Sequence, residues 1–109
     1  MFNLKEYEDS NGKSPFGEWF DSLAVAAANE ITVSLTRLKE GKHSRVESVG
    51  GGVYEYKIHF GPGYRVYFGK DGEKIIILLC GGYKKRQQKD IKRATEYWKD
   101  FKERKKKGE

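Results

Sequence analysis

The stretch "VYEYKIHFGPGYRVYFG" (residues 53–69) sets titratable side chains at alternate positions on either side of a glycine-proline-glycine turn. Glu55, Lys57 and His59 precede the turn, and Arg65 and Tyr67 follow it. A little further on, "GGYKKRQQKD" adds Tyr83, Lys84, Lys85 and Arg86. Cations interleaved with aromatic rings suit single-stranded RNA, because the cations hold phosphates while bases stack on the rings. RNA cleavage needs only a few further roles. A base removes the 2′-hydroxyl proton, cations stabilise the pentavalent phosphorane, and an acid protonates the leaving 5′-oxygen. His59 or Glu55 would be the base, Arg65 with Lys84, Lys85 and Arg86 the stabilisers, and Tyr83 or a lysine the acid. A plainer reading stands beside this one. Arg65 would pair with Glu55 across neighbouring strands, an exposed ion pair worth about 0.5 kcal/mol, and His59 would be a solvated residue beside a turn.

Other reactive residues carry less. Cys80 lies in the apolar run "KIIILLC" with no basic neighbour to activate it, and reads as core filling. As the lone cysteine it forms no intrachain disulfide. Two histidines and one cysteine at these spacings do not make a structural zinc site, and no metal or other cofactor is expected. The glycines at 50–52 precede neither a lysine-serine pair nor a helix start, so they read as a flexible break between strands, not as a phosphate cradle.

The elements that must position these side chains follow from periodicity. "FNLKEY" alternates as a short first strand does. Ser14 followed by Pro15 marks a helix start, and Phe16, Trp19, Phe20 and Leu23 recur at helical spacing. A second stripe, Ala27, Ile31, Leu35 and Leu38, runs on to Gly41, giving two helices or one broken near residues 23–26. "RVESV" is a candidate strand. "VYEYKIHF" alternates with Tyr54, Tyr56, Ile58 and Phe60 on one face, toward the helices. "GPGY" fits a type II turn centred on Pro62 and Gly63. In the strand after it Tyr64, Val66 and Phe68 point inward and Arg65 and Tyr67 to the opposite face, read as solvent-facing. Asp71-Gly72 announces a hairpin into "EKIIILLCG", apolar on both faces like a central covered strand. A last helix carries Ile91, Ala94, Trp98 and Phe101 as one stripe. The expected fold is α+β: an antiparallel or mixed sheet of four to five strands, two helices on one face, and a basic C-terminal helix.

The 109 residues suffice for one domain, 1–109. The net charge of +6 is unevenly placed: residues 1–82 carry a net of −1 and residues 83–109 a net of +7. Such a cluster points to polyphosphate or an acidic partner, although "KERKKKGE" alone also fits a solvated helix end. No segment has signal-peptide character, and none approaches the roughly 20 apolar residues of a membrane span. A soluble cytoplasmic protein without membrane contact is expected.

Two blocks, "GGVYEYKIHFGPGYRVYFG" and "IILLCGGYKKRQQKDIKRATEYW", resemble RelE/HigB-type toxins of bacterial type II toxin-antitoxin modules, closest to the addiction module killer proteins of the RelE/ParE superfamily. The resemblance extends from "SPFGEWFDSL" through the last helix. It implies a RelE/ParE-like fold and a ribosome-dependent, metal-independent endoribonuclease that cuts translated mRNA. It also implies a cognate, HigA-like antitoxin as partner, with operator DNA contacted only through that antitoxin. The phosphate-stabilising arginine of "GYRVYF" falls on Arg65, the basic residues after the last strand on Lys84 and Lys85 with Arg86 beside them, and a further cation on Lys57. The family varies at the acid and base, so His59 and Tyr83 stay candidates. Arg86, Lys89, Lys92, Arg93, Tyr67 and Tyr83 are the expected RNA contacts. Two alternatives share the fold: a ParE-like toxin acting on DNA gyrase, and an inactive module that only binds RNA or antitoxin.

Overall fold

Ser14 begins the first helix as its position predicts: its Oγ accepts the Gly17 N–H at 2.9 Å, and Pro15 takes the first helical position, where a missing N–H is harmless. In this computed structural model, which describes residues 1–42 and 44–108, that helix (α1) spans Pro15–Asp21. A second, α2, spans Val25–Lys39, so the two stripes belong to separate helices. The strands are β1 (Asn3–Glu6), β2 (Val46–Gly50), β3 (Val53–Ile58), β4 (Tyr64–Asp71) and β5 (Ile75–Tyr83). A 3-10 turn at Lys84–Arg86 leads into α3, Gln87–Lys106. Among the described residues no helix is long and apolar enough to cross a membrane.

The sheet order is β1-β5-β4-β3-β2. β1 runs parallel to β5 and every other pair is antiparallel, so the fold is α+β with a five-stranded mixed sheet. β5 lies between two strands with a helix on each face, which is why its sequence is apolar on both sides. On one face Tyr56, Ile58, Tyr64, Val66 and Phe68 pack with Phe16 of α1 and Ile31 and Leu38 of α2. On the other, Val53, Tyr67, Ile77 and Leu79 are covered by Ala94 and Trp98 of α3.

That second cover corrects the sequence expectation. The face assigned to Arg65 and Tyr67 is right, but it is roofed by α3 instead of facing solvent: Glu55 is 1% exposed, Tyr67 0% and Arg65 9%. The apolar stripe of α3 needs a surface to cover, and the remaining sheet face supplies it. At its far end α3 is tied down by a Lys105–Asp71 ion pair, so the lysine-rich segment is part of the helix through Lys106.

Three local features also differ from expectation. β3 ends at Ile58, so the alternation stops before Phe60, which is exposed and stacks on Tyr64 with ring centroids 6.5 Å apart. The tight turn closes from the Gly63 N–H to the Phe60 carbonyl at 3.0 Å, placing Gly61 (φ +54°) and Pro62 at its centre, one residue earlier than "GPGY" suggests. A positive φ at the first central position is the geometry that matches strand twist. Gly63 has the positive φ expected of it (+83°), and its carbonyl, just before β4, accepts the Lys84 N–H at 2.9 Å. Finally, within the glycine turn that links β2 and β3, Gly52 is a seat for Trp98: a Cβ on it would lie 2.7 Å from the indole Nε1, while Gly50 meets open space.

Tryptophans clamp the sheet from both sides, each on a glycine. Trp19 of α1 lies on Gly81 and Trp98 of α3 on Gly69, so close that a Cβ would come within 2.2 and 2.4 Å of the rings.

Candidate functional site

The β3–β4 register sets Lys57 opposite Arg65 and Glu55 opposite Tyr67. At the turn end of this hairpin lies a cleft of about 570 Å³ lined by Lys57, His59, the turn glycines, Tyr64, Arg65 and Lys84. Arg65, Lys57, His59 and Lys84, named from sequence as catalytic candidates, therefore share one cavity. Lys85 lines a neighbouring hollow of about 500 Å³ with Arg86, Gln87 and Lys89, and Lys84 borders both.

Arg65 is held from beneath. Its Nη1 donates to Glu55 Oε1 at 3.0 Å, while Glu55 Oε2 accepts the Tyr67 hydroxyl at 3.1 Å and Gln87 Nε2 at 2.8 Å. The Arg65–Glu55 pair of the plainer sequence reading is real, but it is buried, which changes its weight. Removing one partner of a buried pair costs about 3–5 kcal/mol, against the few tenths of an exposed one. Glu55 accepts three hydrogen bonds and is shut from solvent, so it positions Arg65 and is no base for a bound substrate. Arg65 Nε is buried without a partner among the described residues. A guanidinium that spends only Nη1 on Glu55 and lines a cleft with two lysines is suited to an anion with several oxygens.

Tyr67 cannot stack a base, since it is fully buried and its hydroxyl is spent on Glu55. Burial and the Glu55 charge drive its pKa well above the ordinary phenol value. The exposed rings here are Phe60 and Tyr83, on either side of Tyr64, with the Tyr64–Tyr83 centroids 5.4 Å apart. Phe60 was missed because it continues the inward parity of its strand; the glycine after it was the sign that the strand had ended. Gln87 was missed as one polar residue among many at a helix start.

The remaining cations are arranged unequally. Lys57 Nζ donates to Glu47 at 2.9 Å. Lys84, Lys85 and Arg86 are exposed on the 3-10 turn, and Lys89 and Lys92 on α3. Arg93 donates to Asp90 at 3.4 Å and to the Tyr97 hydroxyl at 3.3 Å, and neither it nor Lys92 lines the two hollows. Cys80 is buried as expected, its thiol pushed up to about 12 by desolvation.

Asp90 is the other buried carboxylate, 2% exposed and pressed on Gly82, with Oδ2 unpartnered among the described residues. Desolvation raises its pKa despite the opposing pull of Arg93 and Arg86. In the unfolded chain an aspartate ionises near ~3.9, so as pH rises from there the native state keeps the proton longer than the unfolded one. Stability from this group therefore declines with rising pH until the native pKa is passed. Asp90→Asn is expected to flatten that decline, read as the urea midpoint measured across weakly acidic to neutral pH. An unchanged profile would show that Asp90 does not cause it.

Fold and cleft together define a small α+β protein with a cationic cavity at one end of a doubly covered mixed sheet. Residues 18–99 match the family described as "Phage derived protein Gp49-like (DUF891)", and the chain belongs to that family. The family is associated with toxin-antitoxin modules. An uncharacterized protein of Haemophilus influenzae is 40% identical over 80 residues, which cover 72% of this chain and 81% of that one.

Proposed function

We propose that the protein is the toxin of a type II toxin-antitoxin module and acts as a ribosome-dependent mRNA endoribonuclease, neutralised by a cognate antitoxin. The observation that carries this is the shared cavity of Arg65, Lys57, Lys84 and His59, with Arg65 braced from below by Glu55. Arg65 and Lys84 hold the scissile phosphate and meet the charge that develops on the phosphorane. Lys57 adds a third positive charge beside them. His59, exposed on the rim, moves a proton to or from the ribose oxygens. Phe60 and Tyr83 offer ring faces to the flanking bases, and Lys85, Arg86 and Lys89 attract the strand beyond.

The test is expression without an antitoxin, with mRNA 5′ ends and gyrase-linked DNA breaks mapped in the same cells. New 5′ ends within translated reading frames are expected. DNA breaks with intact mRNA would replace this reading with gyrase poisoning.

A further inference from the structure

A third hollow, of about 350 Å³, opens on the opposite flank of the β3 end. Arg37 and Glu30 of α2, Lys42, Arg45, Lys57 and His59 are among its walls. Lys57, Ile58 and His59 line this hollow and the Arg65 cleft alike, so the two adjoin at the end of the strand. Because Tyr56 and Ile58 belong to the α1–α2 face and Lys57 and Arg65 to the α3 face, the joined path turns from one face of the sheet to the other.

The charges along it are not all compensated. Lys42 pairs with Glu40 at 3.4 Å and Lys57 with Glu47 at 2.9 Å. Arg37 and Arg45 are exposed, and among the described residues neither guanidinium has an ion pair or hydrogen bond. Two free guanidiniums in a polar hollow that leads to Arg65 call for an extended polyanion. A double helix, stiff over such a distance, does not bend around a strand end; a single strand does.

We infer that Arg37 and Arg45 form a second phosphate subsite, and that single-stranded RNA held at Arg65 continues around the end of β3 into it. This rests on the proposed RNA substrate, extending it to the path of the strand.

The test is fluorescence anisotropy of the full chain with labelled single-stranded RNA, a dinucleotide and an oligomer of about ten nucleotides, over a range of salt. The Arg37→Gln/Arg45→Gln double variant is compared at equal folding by circular dichroism. The expected result is unchanged dinucleotide binding but roughly tenfold weaker oligomer binding, with the salt slope reduced by about 1.4, two contacts at about 0.7 each. Unchanged oligomer affinity and slope would overturn the subsite. So would an equal loss for a duplex of the same length, or loss of polyglutamate binding with the oligomer still held. A protein that binds RNA along this path without cutting it would pass this test and fail the mRNA mapping, so the two results separate.

Discussion

Arg65→Ala is expected to lower RNA cleavage by about 10²–10³-fold, the usual effect of losing one preorganised donor to a transition-state oxyanion. It is also expected to destabilise the fold by about 3–5 kcal/mol. The second effect follows from Glu55, which would keep its buried charge with only Tyr67 and Gln87 to answer it. Because such a variant can lose activity by unfolding, Arg65→Lys is the informative companion. Lysine keeps a cation near Glu55 and so recovers part of the stability, but it lacks the planar fork that holds Glu55 with one arm and an anion with the rest. Urea unfolding with cleavage mapping on both variants separates the roles. Full cleavage by folded Arg65→Lys would show that the guanidinium is structural only.

Gly81→Ala is the second change with a large expected effect. The added Cβ would lie 2.2–2.6 Å from three atoms of the Trp19 ring. That ring cannot swing away as a flexible side-chain tip would, because Trp19 sits in α1 against Phe16 and Tyr64. The helix must lift off β5 instead. Overpacking of this kind costs about 3 kcal/mol, which for a domain of this size lowers Tm by roughly 12–24 °C. Combining it with Trp19→Leu is expected to recover part of the loss, a coupling that independent sites would not show. An unchanged Tm in the single variant would mean that α1 is not seated on this strand.

Much of this arrangement was legible from local pattern. Ser14-Pro15 marked a helix start, and Asp71-Gly72 placed the β4–β5 hairpin. Strand parity put Arg65 and Tyr67 on the face opposite Tyr64 and Val66. What parity does not carry is what covers each face. Glu55 and Arg65 looked like solvent-facing charges because a charged residue in an alternating strand usually is one. Their burial depends on partners from β3, β4 and the start of α3, with Gln87 standing 32 positions from Glu55. The cations that line the cleft, Lys57, Arg65 and Lys84, could be named from sequence, since types and spacing suffice for that. Of its brace the Arg65–Glu55 pair was legible across the strands, but the Gln87 contact was not, because Gln87 and Glu55 meet only when α3 folds back. Phe60 shows the same limit on a smaller scale: alternation assigns a side only while the strand lasts.

The parallel pairing of β1 with β5 has a consequence for how a newly made chain reaches this state. Asn3–Glu6 is made before its partner Ile75–Leu78, with β2, β3 and β4 between them in the chain. The early strand must wait, unpaired, while the β2–β5 meander forms behind it. The brace under Arg65 waits longer still, until Gln87 has emerged. A growing chain thus carries Arg65 on an incomplete brace until the start of α3 has been made.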